Sequence, residues 1–187
     1  MLEVRIRKNA DATNGLEPGD VKALTERATR ATFYTDGLTG EQVAANERIP
    51  ELSGQIFFGA AASEAQHLAA AFSARRLAGF VIATRHSAYD LELDWLMVDP
   101  REHGTGLAAR LMNEGLSWLG LDRPTWLTVI RSNQRAIQFY RKFGFDIDPH
   151  TPLDRPVPHW IMRRRPAGST PAGVLKSGAP LTPEDCR

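Results

Sequence analysis

The stretch Val98-Asp99-Pro100-Arg101-Glu102-His103-Gly104-Thr105-Gly106-Leu107-Ala108 decides how this chain is read, because a two-glycine turn joins an apolar strand pattern to a helical one. A strand that ends in a turn of little side-chain bulk and runs at once into a helix aims several backbone N–H groups at one spot. The helix dipole favours an anion at the same place. Gly104 and Gly106 let the backbone approach a ligand closely. The turn is a candidate phosphate cradle, and function depends on which phosphorylated ligand it takes.

Before the turn, Leu68 to Phe72, Leu77 to Thr84 and Tyr89 to Val98 read as three successive strands with short connections, which implies an antiparallel meander. Nearer the start, Leu2, Val4 and Ile6 alternate with Glu3, Arg5 and Arg7, the pattern of a half-buried strand. Val21, Leu24, Ala28 and Ala31 recur at helical spacing from Pro18 to about Tyr34, and a proline suits a first helical turn. Thr39-Gly40-Glu41-Gln42 matches a capping box that opens a second helix, expected to stop near Pro50. Residues 53 to 66, with Phe57, Phe58 and a run of alanines, fit the end of a helix and the start of a strand equally well and receive no assignment.

After the turn, Leu107, Leu111, Met112, Leu116 and Leu119 form one helical stripe that ends near Gly120, with Pro124 beyond. Trp126 to Ile130 is a short buried strand. Ser132 or Asn133 can cap the next helix, whose Ala136, Ile137, Tyr140 and Phe143 recur at three- and four-residue steps up to Gly144. Phe145 to Ile147 and His159 to Met162 read as closing strands around a loop with Pro149, Pro152, Pro156 and Pro158. The sum is an α/β fold with a mixed, mostly antiparallel sheet, in the order β-α-α-β-β-β-α-β-α-β-β. One domain is expected over residues 1–165, and a tail over 166–187, rich in Pro and Gly, is expected to be disordered.

With 187 residues, 42% hydrophobic and 24% charged, the chain suits one soluble domain. A formal charge of +1 provides no field that would steer a nucleic acid. The single cysteine, Cys186, allows neither an internal disulfide nor a cysteine-based metal site. Charge alternates with apolarity from Met1 to Arg7, and no apolar run approaches membrane-spanning length, so a soluble, cytoplasmic protein without membrane association is expected.

Two cofactor classes compete for the turn. Gly104 to Ala109 satisfies G-x-G-x-x-A, the dinucleotide fingerprint, but that motif belongs to the first strand-helix unit of a parallel sheet, with an acid closing the next strand. Here the turn follows several strands, and Ile130 is followed by Arg131. A Walker loop is absent. The residues resemble instead the Gcn5-related N-acetyltransferase (GNAT) family, whose signature is V-x-P followed by Gln/Arg-x-x-Gly-x-Gly/Ala. Val98-Asp99-Pro100 fills the first part and His103 to Ala108 the second, with His103 departing from the usual Gln or Arg. Asn133 to Phe145 then resembles N-x-x-A-x-x-F-Y-x-x-x-G-F at every fixed position.

That resemblance implies acetyl-CoA as acyl donor and an amine as acceptor, joined by direct attack on the thioester with no metal. It implies that the backbone of Leu96, Met97 and Val98 pairs with the pantetheine arm and holds the thioester oxygen, and that His103, Gly104, Thr105, Gly106, Leu107, Ala108 and Ala109 cradle the diphosphate. Asn133 would contact the ligand, although a helix N-cap explains it equally. Tyr140 would protonate the departing thiolate, or else it is a core aromatic. Glu92 and Asp94, two apart on the strand, are candidates to bind the amine and to take its proton, Asp94 as the base; the plain alternative is a solvated pair on an exposed face. Trp95, Trp126 and Trp160 read as core, and Arg163 to Arg165 as a solvated strand end. A homodimer is compatible with all of this. Two rivals stand beside the acetyltransferase: a catalytically silent acyl-CoA sensor, and an NAD(P)-dependent oxidoreductase. The acceptor, to be read by the helices between residues 18 and 50 and the 148–158 loop, is not encoded in any motif.

Overall fold

The computed structural model describes residues 4–33, 37–151 and 153–165. Leu2, Tyr34, Pro152 and the 166–187 tail lie outside them. A seven-stranded sheet runs through the molecule in the order β1-β2-β3-β4-β5-β7-β6. Its strands are β1 (Val4–Lys8), β2 (Gln66–Ser73), β3 (Arg76–Arg85), β4 (Leu91–Val98), β5 (Thr125–Ile130), β6 (Phe145–Asp148) and β7 (His159–Arg164). Every neighbouring pair is antiparallel except β4 and β5. A doubly wound dinucleotide fold, which needs a run of parallel strands, is thereby set aside. The expected order of elements holds, with two added helical turns, α1 (Ala10–Thr13) and a 3-10 turn at Pro100–Glu102.

Helices cover both faces. On one lie α1, α2 (Pro18–Phe33) and α3 (Gly40–Ala62), with Val21, Leu24, Phe57 and Ala60 packed on Leu68, Ala70, Phe80 and Ile82. On the other lies α4 (Leu107–Leu119), whose Leu107, Leu111, Met112 and Leu116 pack on Ala69, Val81, Leu93 and Leu127, with Ile137 of α5 (Gln134–Arg141) in the same cluster. The alternation of β2 and β3 residues between these two cores is why those strands read as nearly continuous apolar runs: both faces are buried.

Of the boundaries that differ from expectation, two bear on the packing and the site. The second helix does not stop at Pro50 but continues to Ala62, absorbing the stretch that carried no assignment. A proline inside a helix forfeits one hydrogen bond. Here the segment beyond it carries Phe57 and Ala60, both fully buried, so packing on the sheet outweighs the break. Its start is as expected, with Thr39 and Gln42 forming both arms of the capping box. The third meander strand begins at Leu91 instead of Tyr89, which stands 95% exposed in the preceding loop.

Two irregularities of β4 matter most. Ile82 of β3 pairs with Trp95 and Ala83 with Leu93, so Asp94 is an extra residue opposite no partner, a β-bulge. Past it the facing of the strand is shifted, so that Trp95 and Met97 join the α2–α3 core while Leu96 and Val98 pack with α4. On its other side, β4 pairs with β5 only at Glu92 and Trp126. The two strands diverge from there, and the β5-facing edge of β4 from Asp94 to Val98 has no strand partner among the described residues.

Candidate active site

The opening between β4 and β5 leads to the glycine turn. A 3-10 turn at Pro100–Glu102 precedes Gly104 and Gly106, both at φ 83°. This backbone conformation strains any residue with a Cβ. A Cβ built on either would meet nothing within 4 Å, so conformation, not crowding by the protein, is what calls for glycine there. Gly106 is also the N-cap of α4 and, being glycine, offers that helix no side-chain cap of its own. Thr105 closes the turn on itself: its hydroxyl donates to the Glu102 carbonyl at 2.8 Å and accepts from the Leu107 N–H at 3.3 Å. The N–H groups of Gly104, Gly106, Ala108 and Ala109 have no acceptor among the described residues. A cluster of unsatisfied donors at a helix N-terminus suits a phosphate group.

The base of the turn is locked ionically. Asp99, fully buried, accepts from Arg27 Nε of α2 at 2.9 Å, from Arg76 of β3 at 2.7 Å and from the Arg101 N–H at 3.0 Å. Arg76 reaches Glu102 at 2.9 Å with its other nitrogen. Burial alone would raise the Asp99 carboxyl, but the Arg101 N–H and the two guanidinium groups outweigh it and hold it below the ordinary carboxylate value. On the other side of the turn, exposed His103 meets Arg135 of α5 through Nδ1 at 3.0 Å. Partial burial and that neighbouring cation lower the histidine's pKa, which favours a neutral ring.

Further up β4 stands the carboxylate pair. Glu92 is only 7% exposed and Asp94 half-buried, which corrects the reading of a solvated pair on an open face. His86 Nε2 lies 2.7 Å from Glu92 Oε2, and the histidine ring stacks on Trp126. Gln66 donates to the Thr84 hydroxyl at 3.1 Å, and that hydroxyl donates to Asp94 at 3.4 Å. Burial pushes both carboxyls above their ordinary pKa, helped at Glu92 by the neighbouring Asp94 charge and opposed at Asp94 by the Thr84 hydrogen bond. His86 is shifted upward, chiefly by its hydrogen bond to Glu92. Ahead of β7, the Pro156 carbonyl accepts from the Gln42 side chain of α3 at 3.0 Å.

Tyr140 sits on α5, packed against the same apolar cluster as Leu96 and Val98 of β4. Its ring meets Phe139 and Phe145, and its hydroxyl makes no hydrogen bond with the described residues. Burial pushes that hydroxyl up to about 12, so it is protonated at neutral pH. Asn133 caps α5, its side-chain oxygen accepting from the Ala136 N–H at 3.1 Å, and its amide nitrogen stays available. The strand-end arginines are more engaged than expected: Arg163 pairs with Asp148 at 2.7 Å and Arg164 Nε donates to the Phe143 carbonyl.

The structure thus gathers Glu92 with Asp94, and the glycine turn with α5 through His103 and Arg135. Tyr140 packs in the cluster that holds Leu96 and Val98 of β4, the strand that carries Glu92 and Asp94, and no hydrogen bond joins it to either carboxylate. Sequence reasoning missed Thr84, His86, Asp99, Arg27 and Arg76. Only Asp99 carried a local signal, as an acid before Pro100 able to cap the short turn that follows.

The description "Acetyltransferase (GNAT) family" belongs to a family model that matches residues 30–145. An uncharacterized N-acetyltransferase of Mycobacterium tuberculosis is 42% identical over 77 residues, which make up 39% of this chain and 48% of that protein. Its counterpart in Mycobacterium bovis matches to the same extent. The chain therefore spans about half the length of the curated relatives it matches. The PaiA N-acetyltransferase of Thermoplasma acidophilum, solved in complex with coenzyme A, superposes with a TM-score of 0.63 at 19% identity over 87% of this chain and 99% of that one. An acetyltransferase from Streptococcus agalactiae 2603 reaches 0.64 at 13% identity, over 87% and 98%. At such identities the likeness is one of fold.

Proposed function

The chain belongs to the GNAT acetyltransferase family, and from that premise we propose that it transfers an acetyl group from acetyl-CoA to a primary amine by direct attack within a ternary complex. The observation that carries the reading is the opening between β4 and β5 beyond Glu92, which ends at a turn with four unpaired N–H donors. The free edge of Leu96, Met97 and Val98 pairs with an extended pantetheine arm as an added strand would, and one of its N–H groups holds the thioester oxygen as negative charge develops. The diphosphate lies on the 103–109 turn, taking the N–H groups of Gly104, Gly106, Ala108 and Ala109, while Leu107 is held by Thr105 and serves the core. Asn133 contributes its free amide nitrogen.

For the amine, Glu92 supplies a negative end and Asp94 the base. A carboxylate whose pKa is lifted by burial holds a proton better near neutrality, which suits removal of one from the bound ammonium to free the amine that attacks. As the tetrahedral intermediate collapses, the sulfur gains charge. Tyr140, protonated and without a competing hydrogen bond, donates to it. Protons and bonds balance without an enzyme-bound intermediate: the ammonium gives one proton to Asp94 and becomes the attacking amine, its nitrogen forms the bond to the acetyl carbon and releases a second proton as the carbon–sulfur bond breaks, and coenzyme A leaves as the thiol with the proton from Tyr140, which is made good by the one the nitrogen releases.

The test is acetyl-CoA-dependent thiol release across a panel of small amines, amino acids and peptides, with mass detection of the acetylated product. Transfer to at least one amine is expected. Binding of coenzyme A with no transfer to any of them would favour the silent sensor. Stabilisation against heat by NAD(P) but not by coenzyme A would refute both.

A further inference from the structure

The buried carboxylate beneath the glycine turn has no part in the chemistry just described, yet it is the most heavily partnered acid in the region. Asp99 is the residue at which β4 ends and the turn begins. Its backbone N–H bonds the Ala78 carbonyl of β3 at 2.9 Å, and its carbonyl accepts from the Glu102 N–H at 2.8 Å. Its side chain gathers one cation from α2 and one from β3, elements 72 and 23 residues away in the chain. Arg76 then grips Glu102, two residues before Gly104. The first residues of the turn are therefore held at both ends of the 3-10 segment by side chains from outside it.

We propose that Asp99, with Arg76 and Arg27, is a positioning group that fixes the direction in which the turn presents its N–H donors, and that it tunes affinity for the diphosphate of the donor substrate in particular. The reason is conformational. A Cβ added at Gly104 or Gly106 would meet nothing within 4 Å, so no packing at these two residues restrains the backbone between the hydrogen bonds of Thr105 and the contact of His103 with Arg135. Glycine is the residue with most backbone freedom to lose. Donors that sample many directions pay an ordering cost on binding an anion, and a clamp at the base of the loop removes part of that cost beforehand. Charge balance points the same way. A lone buried carboxylate here would repel a diphosphate, whereas Asp99 and Glu102 are offset by Arg76 and Arg27, leaving the donors as the net field. The arginines are about one-third exposed and the carboxylate not at all, which suits a clamp closed from the surface inward.

This inference rests on the acetyltransferase reading, since it assumes a coenzyme A diphosphate at the turn. The test uses calorimetric titration of the full chain with three probes: coenzyme A, 3′-phosphoadenosine 5′-diphosphate, which has the diphosphate without the arm, and pantetheine, which has the arm without the diphosphate. The variants are Asp99→Asn, Arg76→Gln and Arg27→Gln, with Lys22→Gln, which breaks an α2–α3 ion pair, as a surface control. Expected is a loss of tenfold or more in affinity for coenzyme A and for the nucleotide in Asp99→Asn and Arg76→Gln, a smaller loss in Arg27→Gln, and unchanged pantetheine binding in all. Should Asp99→Asn fail to fold, the two arginine variants decide, because each removes a partly exposed group. Unchanged coenzyme A affinity in folded variants overturns the proposal and leaves the acetyltransferase reading standing. Equal losses for nucleotide and pantetheine overturn it too, since they mark general loosening. A wild-type chain that does not bind coenzyme A overturns both.

Discussion

Replacing Tyr140 by Phe removes one oxygen and nothing else. That oxygen makes no hydrogen bond with the described residues, and the ring it sits on packs against Phe139 and Phe145. Loss of a hydroxyl without a partner leaves no orphaned group behind, so unfolding free energy is expected to stay within about 0.5 kcal/mol of wild type. Coenzyme A affinity should stay within a factor of about two, because the hydroxyl serves the departing sulfur and not the bound ground state. Turnover is another matter. A positioned general acid contributes roughly 10²–10⁴-fold, which is about 3–5 kcal/mol of barrier. With its pKa at about 12, Tyr140 is protonated across the neutral range, so no alkaline limb below that value should arise from it. The assay is steady-state thiol release with the best amine from the panel, alongside calorimetric titration of coenzyme A and urea denaturation. Turnover within threefold of wild type would refute the acid role. A fall in coenzyme A affinity matching the fall in turnover would refute it as well, since the tyrosine would then act by packing.

Asp94→Asn should lower turnover by about 10²-fold and abolish an acid limb in the pH profile that lies above the ordinary carboxylate range. The limb follows from the raised pKa of Asp94, which must lose its proton before it can accept one; a limb that persists in the variant transfers the base role to Glu92. Stability has the opposite sign. A carboxyl that holds its proton more tightly when folded loses stability as pH rises from its unfolded pKa through the raised folded one. At neutral pH the Asn variant should therefore melt no lower than wild type in a thermal scan. Gly79→Ala should cost about 1–3 kcal/mol in urea unfolding, because its Cβ would stand 2.7 Å from the Met97 carbonyl oxygen. Wild-type stability there would contradict the close approach of β3 to β4. Thr39→Ala removes the cap of α3 and should lower stability by about 1 kcal/mol, read as a shift in the urea midpoint; no shift would mean that Gln42 alone suffices at that end.

Much of the fold was legible because its signals are local. The alternation around Val4 and Ile6, the stripe from Leu107 to Leu119 and the capping box at Thr39 each act within a few residues, so backbone preference and burial coincide. Pro50 shows where this fails. Its local rule ends a helix, and only the fit of Phe57 and Ala60 on the sheet keeps the helix going. Glu92 shows the same for the site: spacing placed it on a face with Asp94, but its burial and its contact with His86, whose ring stacks on Trp126 of β5, appear only in the folded sheet.

The two motifs, from Val98 to Ala108 and from Asn133 to Phe145, are legible in the chain alone, because a cradle of backbone donors needs only a strand, glycines and a helix in succession. How those parts are aimed follows from the folded sheet. The bulge at Asp94 arises where β4 pairs with β3, the divergence of β4 from β5 follows their single pairing at Glu92 and Trp126, and the two arginines reach Asp99 from 72 and 23 residues away. No local preference encodes such a meeting, since its free energy appears only once the sheet has closed around it.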